Sequence, residues 1–394
     1  MLTVLGVALA VTLASPAASA GVPDPDRDPT PRVIGGMTAP VGAWPSQVYL
    51  DVAKGPSAFT ICGGTLIDRS WILTAAHCVT NDAGAPVTPE SIVTVIGFQD
   101  LDQVDPDTDL SDVAEVVVHP EWDVGRLRWD FALLRLVEPS LHPTMPLIQP
   151  SQEATSAGGE PAEVAGWGCW SDAPDGCDRN IPGRYPRQLQ QASVSFVSDS
   201  VCGSSWSVYF DPGMMICAGS YGIGRPAVCF GDSGGPLVAD PDGAKVLAGV
   251  TSFVSGDPPC TNPYQPGVFA RVSTGRAWID SVLGRTARFS SLRLTPARRT
   301  ATAGRRLTLR VAVTNSGKAP GVAAVSLQST NRQKVGVPGQ VGLTVDADGT
   351  ATGTVQVRTM RRKSGTVRVT AKLGSMVARS TIVLRRKAAA TSLP

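Results

Sequence analysis

All eight cysteines of this 394-residue chain lie between Cys62 and Cys260. Disulfides are typical of secreted domains, and an even number of cysteines confined to one region predicts a single exported domain with four bridges. The remaining residues must then fold without this constraint. The spacing by itself leaves many pairings open. For Cys169 and Cys177 a zinc site is the alternative, but no histidine neighbours them, and structural zinc needs four converging ligands.

The charge of the chain changes abruptly near residue 285. Residues 285–394 contain 21 lysines and arginines and only two acids, Asp346 and Asp348, a net charge of +19. Because the whole chain carries +2, the first 284 residues carry −17. This asymmetry predicts two domains with different partners.

The first 20 residues are apolar and end in Ala18-Ser19-Ala20, the small-residue pattern of a signal-peptidase site. A membrane anchor is the alternative, but Ser15 and Pro16 interrupt the apolar run, which is short for a span. We therefore expect a signal peptide at 1–20, a propeptide at 21–32, and an extracellular monomer.

The hexapeptide Gly231-Asp232-Ser233-Gly234-Gly235-Pro236 places a serine among glycines. A serine hydroxyl is a weak nucleophile at neutral pH and needs a base, an orienting group and an oxyanion site. The glycines leave room for a carbonyl to approach the N–H groups of Gly231 and Ser233. A glycine-rich turn is the alternative, so the interpretation depends on partners elsewhere in the chain.

Suitable partners occur in two other motifs. His77 lies in Thr74-Ala75-Ala76-His77-Cys78, and Asp130 leads the apolar segment 131–136. In the order His, Asp, Ser, these motifs resemble the chymotrypsin/trypsin family of serine endopeptidases over residues 33–285. The resemblance implies that His77 is the general base, that Asp130 orients it, and that Ser233 is the nucleophile. A binding protein that uses the peptidase body as a scaffold is the alternative.

The same resemblance implies an all-β fold of two six-stranded antiparallel barrels with the active site between them. Short apolar runs at 47–50, 93–96 and 246–250, separated by Gly, Pro and Asp, fit that fold. Residues 275–283 resemble the family's closing helix. The two remaining histidines, His119 and His142, have no nucleophile motif nearby, and we assign both to structure.

The family pattern also implies particular disulfides. The implied bridges are Cys62–Cys78, Cys202–Cys217 and Cys229–Cys260. A local bridge between Cys169 and Cys177 is the remaining option, and it departs from the commonest pattern of the family.

Arg32-Val33-Ile34-Gly35-Gly36 resembles the activation site of the family's precursors. Cleavage there frees an α-amine on Val33, which in the family pairs with the aspartate before the nucleophile, here Asp232. A buried ammonium needs such a partner. We therefore expect a zymogen that is cut at Arg32–Val33.

In this family the residue six before the nucleophile forms the base of the primary specificity pocket. Here it is Ala227, followed by Val228, and Ser252-Phe253-Val254 forms the far wall opposite Gly267. The resemblance to elastases implies a shallow, uncharged pocket for small or medium apolar residues. Trypsin-like Arg/Lys specificity is the alternative, with Asp257 as a candidate carboxylate.

An uncharged pocket does not suit Arg32, the residue before the activation cut. We therefore expect a separate, Arg-specific protease to activate the precursor.

No cofactor is expected for this chemistry, but six acids crowd the loop where some family members bind calcium. Calcium prefers oxygen ligands, whereas Gly97-Phe98-Gln99 departs from the family's glutamate pattern, so a solvated face is the alternative. The acids are Asp100, Asp102, Asp105, Asp107, Asp109 and Asp112.

The basic region alternates strictly between apolar and polar residues at 307–313, 354–358 and 366–370. Turn sequences separate these runs. The pattern predicts a small antiparallel β-sandwich over 297–387, with an immunoglobulin-like arrangement as one candidate. We expect a linker at 286–296 and a tail at 388–394.

The excess positive charge of this sandwich predicts docking to a polyanion, such as a cell-wall polymer, an acidic polysaccharide, a membrane surface or nucleic acid. Its only aromatic residue is Phe289, which disfavours stacking on single-stranded bases. A solvated face, or docking on the acidic domain of the same chain, is the alternative.

Overall fold

The computed structural model describes residues 34–386, apart from 56–57, 107–108, 171–176, 179–182, 257–259 and 361–362. The predicted signal peptide, propeptide and Val33 therefore lie outside the described residues. No helix in the described residues is long and apolar enough to cross a membrane.

Thirteen described strands build the N-terminal domain. In chain order they are β1 (Met37–Thr38), β2 (Gln47–Gly55), β3 (Ala58–Asp68), β4 (Trp71–Thr74), β5 (Ile92–Ile96), β6 (Val113–Val118), β7 (Ala132–Leu136), β8 (Pro161–Gly166), β9 (Gln190–Val197), β10 (Met215–Gly219), β11 (Pro236–Ala239), β12 (Val246–Phe253) and β13 (Gly267–Arg271).

These strands form two antiparallel sheets. The first is a curled six-stranded sheet in the order β5-β2-β3-β4-β7-β6. The second has the order β1-β9-β10-β13-β12-β11-β8, and it closes into a barrel because β8 also pairs with β9. The predicted all-β double-barrel architecture is confirmed, with the first sheet left open.

The alternation of residues explains how the sheets bury one face. In β2, Val48, Leu50 and Val52 are fully buried, and the residues between them are partly exposed. The largest fully buried side chains include Trp167, Phe131, Phe196 and Phe269, and such aromatic residues contribute large apolar areas to a core.

Two α-helices and six 3₁₀ helices accompany these strands. Helix α1 spans Asp199–Trp206 and is capped by Ser198, whose hydroxyl accepts from the N–H of Val201. Helix α2 spans Val272–Val282, close to the predicted closing helix, and buries Ile279. The 3₁₀ helices are Ala76–Cys78, Pro89–Ser91, Leu101–Gln103, Pro150–Ser156, Ser207–Tyr209 and Pro241–Gly243.

All eight cysteines are paired in the structure. The bridges are Cys62–Cys78, Cys169–Cys177, Cys202–Cys217 and Cys229–Cys260. Three of them anchor loops around the 3₁₀ helix of His77 and the segment that leads to Ser233.

Nine further strands form a C-terminal sandwich of two sheets. They are β14 (Phe289–Thr295), β15 (Arg298–Thr302), β16 (Arg306–Asn315), β17 (Gly321–Ser329), β18 (Val335–Gly336), β19 (Gln340–Val345), β20 (Thr350–Thr359), β21 (Gly365–Leu373) and β22 (Met376–Arg385). The sheet orders are β14-β16-β20-β18 and β15-β22-β21-β17-β19, and only β15 and β22 pair in parallel.

The sandwich begins earlier than expected. Part of the predicted linker, 286–296, forms β14, which pairs antiparallel with β16. Leu294 is buried in the sandwich core, and Phe289 and Leu292 pack against it. The prediction of a linker was wrong here because a short, serine-rich run gains its stability from the neighbouring strand and not from its own pattern.

The sandwich contacts the N-terminal domain through its acidic turn. The carboxylate of Asp346 accepts hydrogen bonds from the N–H and hydroxyl of Ser151. The N–H of Ala347 donates to the Gln149 side chain over 3.4 Å. Among the described residues, the hydrogen bonds of the domain contact therefore use one of the two acids of the basic domain and none of its cationic strand side chains.

Candidate active site

His77 and Asp130 form a close pair at the edge of the first sheet. The ring Nδ1 of His77 lies 2.8 Å from Oδ2 of Asp130, and the backbone N–H of His77 donates to Oδ1 over 2.9 Å. The hydroxyl of Ser252 donates to the same carboxylate over 2.5 Å. The carboxylate is thus fixed by three donors, and it in turn fixes the orientation of the imidazole.

The electrostatics of this pair favour an ionised carboxylate. Asp130 is only 1% exposed, and burial alone would raise its pKa. The charge of His77 and the hydrogen bonds from His77 and Ser252 outweigh burial and lower the pKa of Asp130 below its usual value. The ionised carboxylate therefore serves as the hydrogen-bond acceptor for Nδ1 of His77.

The loop of Ser233 presents two unused hydrogen-bond donors. The N–H groups of Asp232 and Gly234 donate to Cys229 and Thr251. By contrast, the N–H groups of Gly231 and Ser233 have no acceptor among the described residues. Two adjacent, unoccupied donors are what an oxyanion requires.

This loop packs tightly between the two barrels. The N–H of Gly63 in β3 donates to the carbonyl of Ser233 over 2.6 Å. Gly234 has a φ of +79°, and a Cβ there would lie 2.3 Å from Oγ1 of Thr74 and 2.4 Å from the carbonyl oxygen of Gly63. Only glycine fits, because both the conformation and the space exclude a side chain.

Ser233 lies in this loop, but its hydroxyl makes no hydrogen bond to His77 within the described part of the chain. Catalytic hydrogen bonds are often long in the absence of substrate and tighten when it binds. The side chain of Ser233 is partly exposed, as a nucleophile must be.

Lys54 is a site residue that the sequence did not reveal. From β2, its Nζ donates to the backbone carbonyl of His77 over 2.6 Å. Burial lowers the pKa of Lys54, while Asp82 and Asp130 partly offset this effect. No motif surrounds this lysine, so only the pairing of β2 with β3 brings it behind His77.

Asp232 is buried without a charged partner in the described residues. Its carboxylate accepts from the N–H of Gly168 over 2.8 Å and of Cys229 over 2.9 Å. Burial raises its pKa to about 6, and the two backbone hydrogen bonds only partly oppose this. Ile34 is 2% exposed, and its carbonyl accepts from the N–H of Ala227, which places the activation segment at this loop.

The predicted pocket residues lie on the segments flanking this loop. Val228 is 5% exposed, and a Cβ at Gly267 would lie 3.0 Å from Cγ2 of Val228. Val254 packs against the cluster around Cys229 and Cys260. The side chain of Val228 thus occupies the space beside Gly267. Asp257 lies outside the described residues.

The other two histidines make no hydrogen bond to this pair in the described part of the chain. His119 is 6% exposed and stacks on Trp129 at 4.7 Å, and burial lowers its pKa. His142 is exposed and lies against Gly97.

Two carboxylates of the acidic loop are already bound by neighbouring groups. Asp102 forms an ion pair with Arg187 at 2.7 Å, and Asp100 accepts from its own turn and from Gln188. Among the described residues, no group of carboxylates converges as metal ligands do. Asp107 lies outside them, and calcium binding stays a prediction.

Comparison with known proteins agrees with this geometry. The family model described as Trypsin matches residues 33–279. Chymotrypsin-like elastase family member 1 of Macaca fascicularis is 36% identical over 258 residues, covering 64% of this chain and 90% of the relative. The Rattus norvegicus protein of that name is 36% identical over 261 residues, covering 65% and 91%, and the Homo sapiens protein is 35% identical over 258 residues, covering 64% and 92%.

Proposed function

Because the chain belongs to the trypsin family and is a serine endopeptidase, we propose that His77, Asp130 and Ser233 are its catalytic triad. The observation that carries the proposal is the buried Asp130 carboxylate, which binds both Nδ1 and the backbone N–H of His77. The unused N–H groups of Gly231 and Ser233 serve as the oxyanion hole.

The groups present supply each step of acyl transfer without a cofactor. Nε2 of His77 takes the hydroxyl proton as Ser233 Oγ attacks the scissile carbonyl, and the oxyanion is bound by the two N–H groups. His77 then gives that proton to the leaving amine. Water, activated by the same imidazole, hydrolyses the acyl ester and restores Ser233.

The catalytic proposal is tested with a fluorophosphonate probe after cleavage at Arg32–Val33. We expect stoichiometric labelling of Ser233 in the wild type and none in Ser233→Ala. A cleaved wild type that stays unlabelled would favour the alternative of a binding protein with an inactive scaffold.

We propose an elastase-like preference for small or medium apolar residues before the scissile bond. Support comes from Ala227 at the base, from Val228 packed beside Gly267, and from Val254 on the wall. An unpaired lysine in such a site costs several kcal/mol, whereas one methylene changes binding by about 1–3 kcal/mol. The enzyme should therefore discriminate against basic residues more strongly than it discriminates among apolar residues.

A peptide panel with Ala, Val, Leu, Phe or Arg before the scissile bond tests this preference. We expect kcat/KM for Ala and Val to exceed that for Arg by about 100-fold or more. Ala227→Asp, which adds a carboxylate at the base, should shift the ratio towards Arg. A wild type that prefers Arg would establish the trypsin-like alternative.

We propose that the protein is exported as a zymogen. Asp232 is a buried carboxylate with only backbone donors, and the activation segment runs beside it. The freed amine of Val33 supplies the missing cation and orders the loop of Gly231. Asp232→Asn should therefore abolish most turnover after cleavage, while normal turnover would exclude the ion pair.

The activating enzyme is proposed to be a separate, Arg-specific protease, because the uncharged pocket does not suit Arg32. Active wild type should fail to mature a Ser233→Ala precursor, whereas an Arg-specific protease should cut it. Maturation by the wild type would overturn this inference.

We propose that the sandwich docks the peptidase on a polyanion. Among the described ion pairs, Lys318–Asp348 is the only one that neutralises a cation of the sandwich. The domain contact uses Asp346. The cationic side chains of the described basic strands therefore remain available to a partner other than the acidic N-terminal domain. Salt-dependent retention of the full chain on polyanion resins tests this, and no retention at low salt would favour a merely solvated face.

A further inference from the structure

The described cations of the sandwich are paired differently on its two sheets. On the four-stranded sheet, Arg306 of β16 lies directly opposite Arg358 of β20. Both side chains are exposed, and neither has an acidic partner among the described residues. Like charges at directly opposite positions of a sheet repel each other. Such a pair is destabilising unless an anion lies between the two guanidinium groups.

The five-stranded sheet provides an internal comparison. There Arg368 faces Thr381, and Arg379 faces Thr370. Each of these arginines therefore lies directly opposite a neutral residue, and no like-charge pair forms at either position. The arrangement at Arg306 and Arg358 is thus not a general consequence of the basic composition.

A shallow cavity marks the paired arginines. It has a volume of about 150 Å³ and is lined by Arg306, Gln356, Val357 and Arg358. Planar guanidinium groups bind carboxylate, sulfate or phosphate oxygens through two parallel hydrogen bonds. The cavity therefore has the charge and donors for one anionic group.

The same face continues this pattern along the strands. Outward-facing Arg310 follows Arg306 by four residues, and Arg293 of β14 lies opposite Ala312. At about 3.4 Å per residue, the arginines extend over roughly 20 Å. We call this row of exposed cations the arginine face: Arg293, Arg306, Arg310 and Arg358.

Neutral hydrogen-bonding side chains lie between these arginines. Thr308 lies opposite Gln356 and bonds to it, and Thr354 lies opposite Arg310. Thr352 and Thr350 continue the row towards the other end of β20. Hydroxyl and amide groups interleaved with cations complement a polymer that carries both hydroxyls and anionic groups.

We propose that the arginine face binds an acidic polysaccharide, with the cavity between Arg306 and Arg358 holding one sulfate or carboxylate group. This deepens the proposed docking function and rests on it. Phe289 packs against the sandwich core and is unavailable for stacking on bases, which disfavours single-stranded nucleic acid. The face carries no large apolar side chain that could enter a membrane.

The face lies on a different part of the sandwich from the domain contact. Asp346 and Asp348 are in the turn between β19 and β20, whereas Arg358 is near the far end of β20. A bound polymer at Arg306 and Arg358 therefore does not compete with the contact at Ser151.

The test compares two double variants of the full chain with equal loss of charge. R306Q/R358Q removes the paired arginines, and R368Q/R379Q removes two arginines from the other sheet. Heparin serves as the sulfated probe and polygalacturonate as the carboxylated one, with neutral dextran, anionic phospholipid vesicles and duplex DNA alongside.

We expect R306Q/R358Q to weaken heparin or polygalacturonate binding at least tenfold at 0.1 M salt and to flatten its salt dependence by about two charges. R368Q/R379Q should change the affinity less than about threefold. Without polymer, R306Q/R358Q should melt at the same or a higher temperature than the wild type, since a repulsion is removed.

Each other outcome is also decisive. Equal weakening by both variants would exclude a specific face and leave only docking by net charge. No polyanion binding by the wild type at low salt would overturn docking itself. Tighter binding to vesicles or DNA than to either polysaccharide would overturn the choice of ligand.

Discussion

Both domains are built from β-strands, but they place their charges in opposite ways. In the part of the N-terminal domain that the structure describes, five titratable side chains are buried: His119, Asp130, Asp232, Arg276 and Asp280. In the described part of the sandwich, the buried polar residues are Asn315, Thr359 and Ser380, and none carries a charge. The first domain holds charges away from water at its candidate active site, whereas the sandwich exposes its charges to solvent.

The physical basis of this contrast is the dielectric environment. Interactions between charges are stronger where water is excluded, and exposed charges are screened by salt within about 10 Å at 0.1 M. Single substitutions of buried charges should therefore have large effects on the activity and stability of the peptidase domain. The sandwich should respond to salt and to the number and placement of its arginines.

Peptide hydrolysis should show the largest difference between the domains. Ser233→Ala is expected to lower kcat by about 10⁴-fold or more, because no other group can form the acyl-enzyme. R306Q/R358Q should leave kcat/KM for a short peptide within about twofold of the wild type. A comparable loss in that variant would show that the sandwich takes part in catalysis.

A second difference concerns stability. Arg276 donates to Asp280 over 2.9 Å and to the carbonyls of Leu147 and Ile148. Arg276→Met removes the donor to both carbonyls and, in the described part of the chain, leaves the buried Asp280 with only the longer contact of 3.8 Å to Arg285. The expected loss is about 3–5 kcal/mol. Exposed Arg293 in the sandwich is the matched control, and Arg293→Met should change stability by less than about 0.5 kcal/mol.

The two domains can be followed separately in these unfolding experiments. All eight tryptophans precede residue 285, so their fluorescence reports on the peptidase domain alone. Far-UV circular dichroism reports on both domains and therefore also follows the unfolding of the sandwich. An equal effect of the two substitutions would contradict the difference between buried and exposed arginines.

The smallest expected effect is a pH-dependent gain of stability on activation. In the uncut chain the pKa of Asp232 is about 6, against 3.8 in an unfolded chain. A raised carboxyl pKa means that stability falls as pH rises from about 4 to about 6, reaching a penalty of roughly 3 kcal/mol. Pairing with the amine of Val33 should remove most of that penalty.

Cleavage at Arg32–Val33 should therefore raise the unfolding midpoint clearly at pH 7 and little at pH 4. The uncut Asp232→Asn variant should be more stable than the uncut wild type at pH 7 and should gain nothing from cleavage. The same gain in Asp232→Asn would show that the stabilisation has another source.

The sequence predicted a strand correctly where the residue pattern of that strand alone was sufficient to identify it. Period-two alternation identified β16, β20 and β21, because the pattern of each strand reports its own buried face. The segment of β14 lacked such a clear pattern, and its pairing with β16 decided its structure. Likewise, Lys54 gave no signal, since its bond to His77 depends on how β2 is placed.

The sequence by itself determined the family, the candidate triad, the candidate activation junction and the division of charge, because each of these depends on short motifs or on composition. Only the tertiary structure decided that Asp232 has no charged partner among the described residues, that the N–H groups of Gly231 and Ser233 lack acceptors, and that Arg306 faces Arg358. The physical reason is that burial and strand register arise between segments distant in the chain, where no local pattern specifies which groups meet.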